Sequence, residues 1–288
     1  MISFRFHLVS LSAVFLALAL GIVIGSTLVY QANVDVLEGR IKEVRQQAAD
    51  ARGALSVWNE FGDDAERALV SDRLEGVRVL TIVPEGLDGS VASTMHTVLS
   101  AAGSIDAGTV TIDDVWSNES PQTLNEIRDA LGIVGPTSLE TAAATAADRV
   151  AREFAEGGGP TLPALVAANL VHLEAGDGET TPGAEARILI FDSGPPTGLI
   201  EPLARALAAA MPERVLVADA GPDDAISESL VGVLRRSPDG LRFSTVDHIR
   251  TTQGRVAAVL ALRDFDRRVI GDYGSGPGAD RAAPATGG

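Results

Sequence analysis

Three aspartates stand where an open α/β sheet could use them. Asp192, Asp219 and Asp247 each follow a short run of β-branched and aliphatic residues, and Asp192 and Asp219 each open a glycine-containing turn. Ligands of such sheets bind outside the carboxyl ends of the strands, so three carboxylates on one edge would form an acidic, cation-attracting rim. Aspartate after a strand also caps helices and forms turns, and the same residues serve that structural role equally well. The turn Asp192-Ser-Gly-Pro-Pro-Thr-Gly198 is neither a dinucleotide fingerprint nor a phosphate loop. Cysteine is absent, and His7, His96, His172 and His248 are scattered without metal-ligand spacing. Met95-His96 is the one adjacent soft-ligand pair, and a methionine in an apolar helix usually packs a core. No nucleophile, base and acid can be assembled, so no enzyme, no resident metal and no cofactor is expected.

The elements that would position these residues alternate. Val77–Val83, Thr109–Ile112, Ala186–Phe191, Arg214–Ala218 and Arg242–Val246 read as buried strands. Between and after them, Ser90–Ala102, Pro121–Leu131, Ser138–Glu156, Thr161–Leu173, the stretch from Gly198 to Met211, that from Pro222 to Arg235, and Thr252–Arg267 read as helices. Ser120 with Pro121 marks a helix start. This order predicts an α/β fold with a mostly parallel sheet, a Rossmann- or flavodoxin-like head over residues 74–270. Residues 271–288, rich in Gly, Ala and Pro, are expected to be a disordered tail.

Ahead of the head, Leu8 to Tyr30 carries no charged side chain. As a helix, about 23 residues reach ~34 Å, enough to cross a bilayer core. Ala17-Leu-Ala19 fits a signal-peptidase pattern, but cleavage there would leave an apolar new terminus, so a retained anchor within residues 1–33 is expected. A buried core helix is the other alternative, though such runs are usually shorter. The acidic first flank, Asp35 and Glu38, favours a cytoplasmic N-terminus, while Arg40, Lys42 and Arg45 count against it. A long C-terminal domain is translocated largely regardless of charge, so the head is expected on the extracytoplasmic side.

Val34, Leu37, Ile41, Val44, Ala48, Ala51, Leu55 and Trp58 alternate in steps of three and four, an a/d seam predicting a coiled-coil stalk over residues 34–73. Gly39, Gly53 and the thin Ala48/Ala51 pair weaken it, and an amphipathic helix lying on its own domain is the alternative. Ala13, Ala17, Gly21 and Gly25 form a small-residue ladder in the span, a helix-association signal. Together they predict a homo-oligomer. The formal net charge of −16, 39 acidic against 23 basic residues, excludes phosphate-neutralising nucleic-acid binding as a main function.

The block from Met1-Ile-Ser-Phe-Arg-Phe-His-Leu8 to Gly21-Ile-Val-Ile-Gly-Ser26 resembles the start of actinobacterial proteins of the mycobacterial copper transport protein family, MctB. The C-terminal stretches Phe243-Ser-Thr-Val-Asp247, Gly254-Arg-Val-Ala-Ala-Val-Leu-Ala-Leu262 and Gly271-Asp-Tyr-Gly274 are similar too. The resemblance implies a membrane-anchored cell-envelope protein of copper transport or homeostasis with a proposed channel role, copper being the transported ion. No soft copper site is visible in the residues. One span and no series of alternating strands leave a pore only to an assembly of several copies. The rival expectations are a non-catalytic envelope scaffold with other envelope proteins as partners, and a ligand-sensing domain using the aspartate rim.

Overall fold

The computed structural model describes residues 4–177, 185–192, 194–196, 198–222, 225–237, 240 and 242–285; of these, the side chains of residues 4–6, 25–39, 54–60 and 63 are not described. The chain divides into two compact units, Met1–Phe61 and Gly62–Gly288. One helix, α1 (Phe4–Val70), runs across that boundary.

In the first unit, His7–Ile24 is long and apolar enough to cross a membrane, with a mean hydropathy of 2.4. A single helix buries nothing of its own, so Leu8, Phe15, Leu16 and Ile22 are all exposed. Ala13, Ala17 and Gly21 lie on this helix, and Gly25 falls among the positions whose side-chain surroundings are not described. Of the seam, Ile41 and Val44 are exposed, Ala48 is half-buried and Ala51 exposed. Val34, Leu37, Leu55 and Trp58 lie outside the described side chains.

The second unit is built on a seven-stranded sheet, order β3-β2-β1-β4-β5-β6-β7. Its strands are β1 (Arg78–Pro84), β2 (Ile105–Ile112), β3 (Val171–Glu174), β4 (Arg187–Asp192), β5 (Val215–Asp219), β6 (Ser244–Val246) and β7 (Asp272–Tyr273). All neighbours pair parallel except β3, which runs antiparallel to β2. Continuous aliphatic strands are needed because both faces are covered. Along β4, Ile188 and Ile190 enter one core while Leu189 and Phe191 enter the other.

The first core is closed by α3 (Pro121–Leu131), α4 (Leu139–Glu156), α5 (Thr161–Ala167), α6 (Ile200–Ala210) and α7 (Leu230–Arg235). The second is closed by α2 (Gly89–Ala101), α8 (Thr252–Asp264) and the end of α1, through Val70. Local signals set these boundaries. The Ser120 hydroxyl accepts from the Thr123 N–H at 3.0 Å, and Gly132, at φ 63°, ends α3 in the left-handed conformation. The end of α1 is tied to α8 by the ion pair of Glu66 and Arg255, 2.8 Å apart and both largely buried.

Three stretches differ from the sequence reading. The helix expected over Thr161–Leu173 stops at Ala167, because Asn169 turns left-handed at φ 54° and Val171–Glu174 then adds β3 to the sheet. Asparagine tolerates that conformation better than most residues. Of the helix expected between Pro222 and Arg235, the described residues form α7 alone, capped by the Ser229 hydroxyl on the Gly232 N–H. The tail expected to be disordered is ordered through residue 285: Tyr273 is buried in β7, and Asp280 donates its N–H to the Asp272 carbonyl at 2.7 Å. Its glycines serve close approach rather than flexibility. Gly274 sits at φ 131°, and a Cβ there would overlap the Asp247 carboxylate.

Candidate functional site

The carboxyl ends of β4, β5 and β6 bring the three predicted aspartates side by side. Asp192 and Asp219 are register partners on adjacent strands, and Asp247 directly follows β6. All three are buried, at 4%, 1% and 0% exposure, so they form an internal row instead of an open rim.

Each is held differently. Asp192 Oδ2 accepts the Leu230 N–H at 2.6 Å at the start of α7. Asp219 Oδ1 takes a long bond, 3.4 Å, from the Gly221 N–H, while its Oδ2 is buried with no hydrogen-bond partner among the described residues. Burial pushes the Asp219 carboxyl above the usual carboxylate range; the Gly221 N–H and Ser229 hydroxyl pull it down, and the Asp247 charge raises it further. Asp247 accepts from Arg235 Nη1 at 2.6 Å, from the Ser275 N–H at 2.9 Å and from the Gly276 N–H at 3.0 Å, and contacts His248 Nδ1. Its burial opposes the charge, but His248, Arg235 and the Ser275 N–H outweigh it and hold the carboxyl below the usual range. Arg235 also donates to Thr245 Oγ1 and to the Tyr273 carbonyl, so this pair joins β6, β7 and the C-terminal segment.

Asp247, His248 and Ser275 are the residue types of a hydrolase triad. Ser275 Oγ, however, lies 3.4 Å from Nδ1, the same ring nitrogen that meets Asp247. A relay needs the acid on one nitrogen and the nucleophile on the other, so this arrangement moves no proton between them.

A second acidic group, unforeseen from sequence, lies at the carboxyl ends of β1 and β2. Oxygens of Glu85, Asp113 and Asp114 come within 4.8 Å of one another. His172, on β3, places Nε2 3.4 Å from Asp113 Oδ2. The signal was present as Asp113-Asp114 right after a strand, but Glu85 is distant in sequence and joins them only because β1 pairs with β2. Glu85 Oε2 accepts the Asp114 N–H, and Asp113 Oδ1 accepts the Val115 N–H, so both also serve the turn. Such oxygen donors suit hard cations.

The soft donors are dispersed. Met95 and Met211 are buried in opposite cores. His96 is on α2 near Asp106, His172 on β3 and His248 after β6. The described residues therefore bring no pair of sulfur or imidazole donors into one preformed copper site.

A mostly parallel α/β unit, together with a helix whose apolar segment is long enough to cross a membrane, suggests a membrane-associated α/β protein. Within that class the chain belongs to the family described as copper transport outer membrane protein, MctB, whose model matches residues 1–284. It is 28% identical over 307 residues to the copper transporter MctB of Mycobacterium tuberculosis (strain ATCC 25618 / H37Rv), covering 97% of this chain and 98% of that protein. It is 26% identical over 316 residues to the copper transporter MctB of Mycobacterium leprae (strain TN), with the same coverage of both chains.

Proposed function

We propose that this protein works in copper transport or copper homeostasis at the cell envelope, anchored by the apolar part of α1 with its α/β unit on the extracytoplasmic side. The observation that carries the reading is the family match over nearly the whole chain, supported by full-length similarity to named copper transporters. The role is non-catalytic, and copper is the cargo rather than a resident cofactor. One apolar helix encloses no pore, so a channel-like role falls to an assembly of several copies, with Ile41 and Val44 on the contact face.

Copper accumulation and tolerance in a deletion strain, with complementation by the full chain, test the proposal. Altered copper content restored by complementation is the expected result. Unchanged copper handling together with a weakened envelope would overturn it in favour of a structural scaffold.

A further inference from the structure

A cleft of about 770 Å³ opens at the amino ends of the parallel strands, opposite the aspartate row. Three strands begin on one pattern: Arg78-Val-Leu80, Arg187-Ile-Leu189 and Arg214-Val-Leu216. Arg242 precedes β6 in the same way. Because β1, β4, β5 and β6 are parallel neighbours, these four arginines reach one edge, and Arg268 joins them from the turn after α8. Four carboxylates, Glu75, Glu185, Glu213 and Asp266, share the lining. Acidic residues outnumber basic ones 39 to 23 over the whole chain, yet five arginines face four carboxylates here.

With the exposed Glu75 and Glu185 counted, the lining keeps one guanidinium in excess of its carboxylates. Arg187 is buried and bonded to Asp266 and to the Leu262 carbonyl. Glu213 accepts from Arg242 Nε at 2.8 Å and lies 2.6 Å from its Nη2, while Arg268 Nε is 3.9 Å from the same carboxylate. One carboxylate thus serves two guanidiniums whose side chains are 53% and 84% exposed. The sheet sets the backbone of Arg242 and Arg214: the Glu213 N–H donates to the Arg242 carbonyl at 2.9 Å, and the Ile188 N–H to the Arg214 carbonyl at 2.8 Å. Charged residues at strand ends guard against aggregation one strand at a time. That role does not require them to converge on one concave site with a shared carboxylate.

We propose that this cleft binds a small oxyanionic ligand, one bearing phosphate or carboxylate groups, with Arg242 and Arg268 as the principal contacts. The planar guanidinium fork matches such groups two oxygens at a time. A soluble anion and a lipid headgroup offer the same chemistry. The full chain in non-ionic detergent is titrated calorimetrically with inorganic pyrophosphate, at ionic strength held constant with sodium chloride. A second arm uses detergent micelles carrying a phosphatidylinositol phosphate. The Arg242→Gln/Arg268→Gln double variant changes exposed side chains only, and thermal melting checks its fold. Saturable binding in either arm, weakened about tenfold or more in the double variant and unchanged in Arg152→Gln on α4, is expected. The arm that saturates identifies the source. No saturation in either arm, or equal binding by the double variant, would overturn the proposal.

Discussion

The Arg235–Asp247 pair is nearly fully buried on both sides, at 1% and 0% side-chain exposure. Removing one member of such a pair leaves the other charge unpaired in a poor solvent, a cost of about 3 kcal/mol or more. Asp247→Asn keeps the shape but forfeits the charge, so it is expected to lower unfolding stability by about that amount in urea titrations, whereas Arg235→Met/Asp247→Leu recovers part of it. Asp219 is opposite in sign. Unfolded, its carboxyl loses its proton near the ordinary value of 3.8; folded, burial keeps the proton on to higher pH. The stability it contributes is full below the ordinary value and lost as pH rises through the raised folded one. Asp247, held low, behaves conversely: its contribution is present above the ordinary value and lost as pH falls through the lowered folded one. Asp219→Asn should therefore lessen the loss of melting temperature as pH rises from the ordinary carboxylate value through the raised folded one, and leave the behaviour below the ordinary value as in the parent. An unchanged pH dependence above the ordinary value would show that Asp219 titrates as an ordinary carboxylate. The positions of these aspartates were legible in the sequence because each ends a β-branched or aliphatic run, and after Asp192 and Asp219 glycine and proline mark the turn. Their burial was not, since it depends on α7 and the C-terminal segment folding over them.

Elements were most legible where short-range signals agree. The boundaries of α3 follow Ser120, Pro121 and Gly132, and those of α4 follow Ser138 and the glycine at 157. Reading failed where long-range pairing decides: β3 exists because Thr109 to Ile112 offers a free strand edge to Val171–Glu174, which no local pattern announces. The C-terminal segment shows the same limit. Its Gly/Ala/Pro composition reads as flexible, yet Gly274 lies against Asp247 and Tyr273 fills the second core. Gly274→Ala must strain a positive-φ backbone and push a methyl group into the carboxylate. A loss of about 2 kcal/mol or more is expected, with faster proteolysis after residue 270 than in the parent. A melting temperature and cleavage rate equal to the parent's would mean that the segment does not hold the sheet edge.

At the scale of the whole molecule, an apolar helix face and a rigid α/β unit set different requirements. The face including Ile41 and Val44 is exposed in the single chain, and the proposed assembly would cover it with the same face of a second copy. Combining Gly21→Ile with Ile41→Asp and Val44→Asp should give monomers in mild detergent by light scattering, and a retained parent mass would exclude this face. On the proposed function, copper would be handled by such an assembly or a partner, since the described donors of the α/β unit suit it poorly. Copper(I) prefers thiolate and thioether sulfur and copper(II) imidazole nitrogen, while carboxylates suit harder ions. The chain has no cysteine. Met95 and Met211 are turned into the cores, and the three histidines of this unit sit on separate elements. His172 faces a carboxylate group, Glu85, Asp113 and Asp114, whose oxygens favour magnesium, calcium or manganese. Calorimetric titration of the full chain in detergent with copper, under reducing and oxidising conditions, is therefore expected to show no stoichiometric site of sub-micromolar affinity. A tight site abolished by His96→Ala or Met95→Leu would reveal donors brought together by a rearrangement of α2. One abolished by His172→Ala would move copper to the carboxyl ends of β1 and β2.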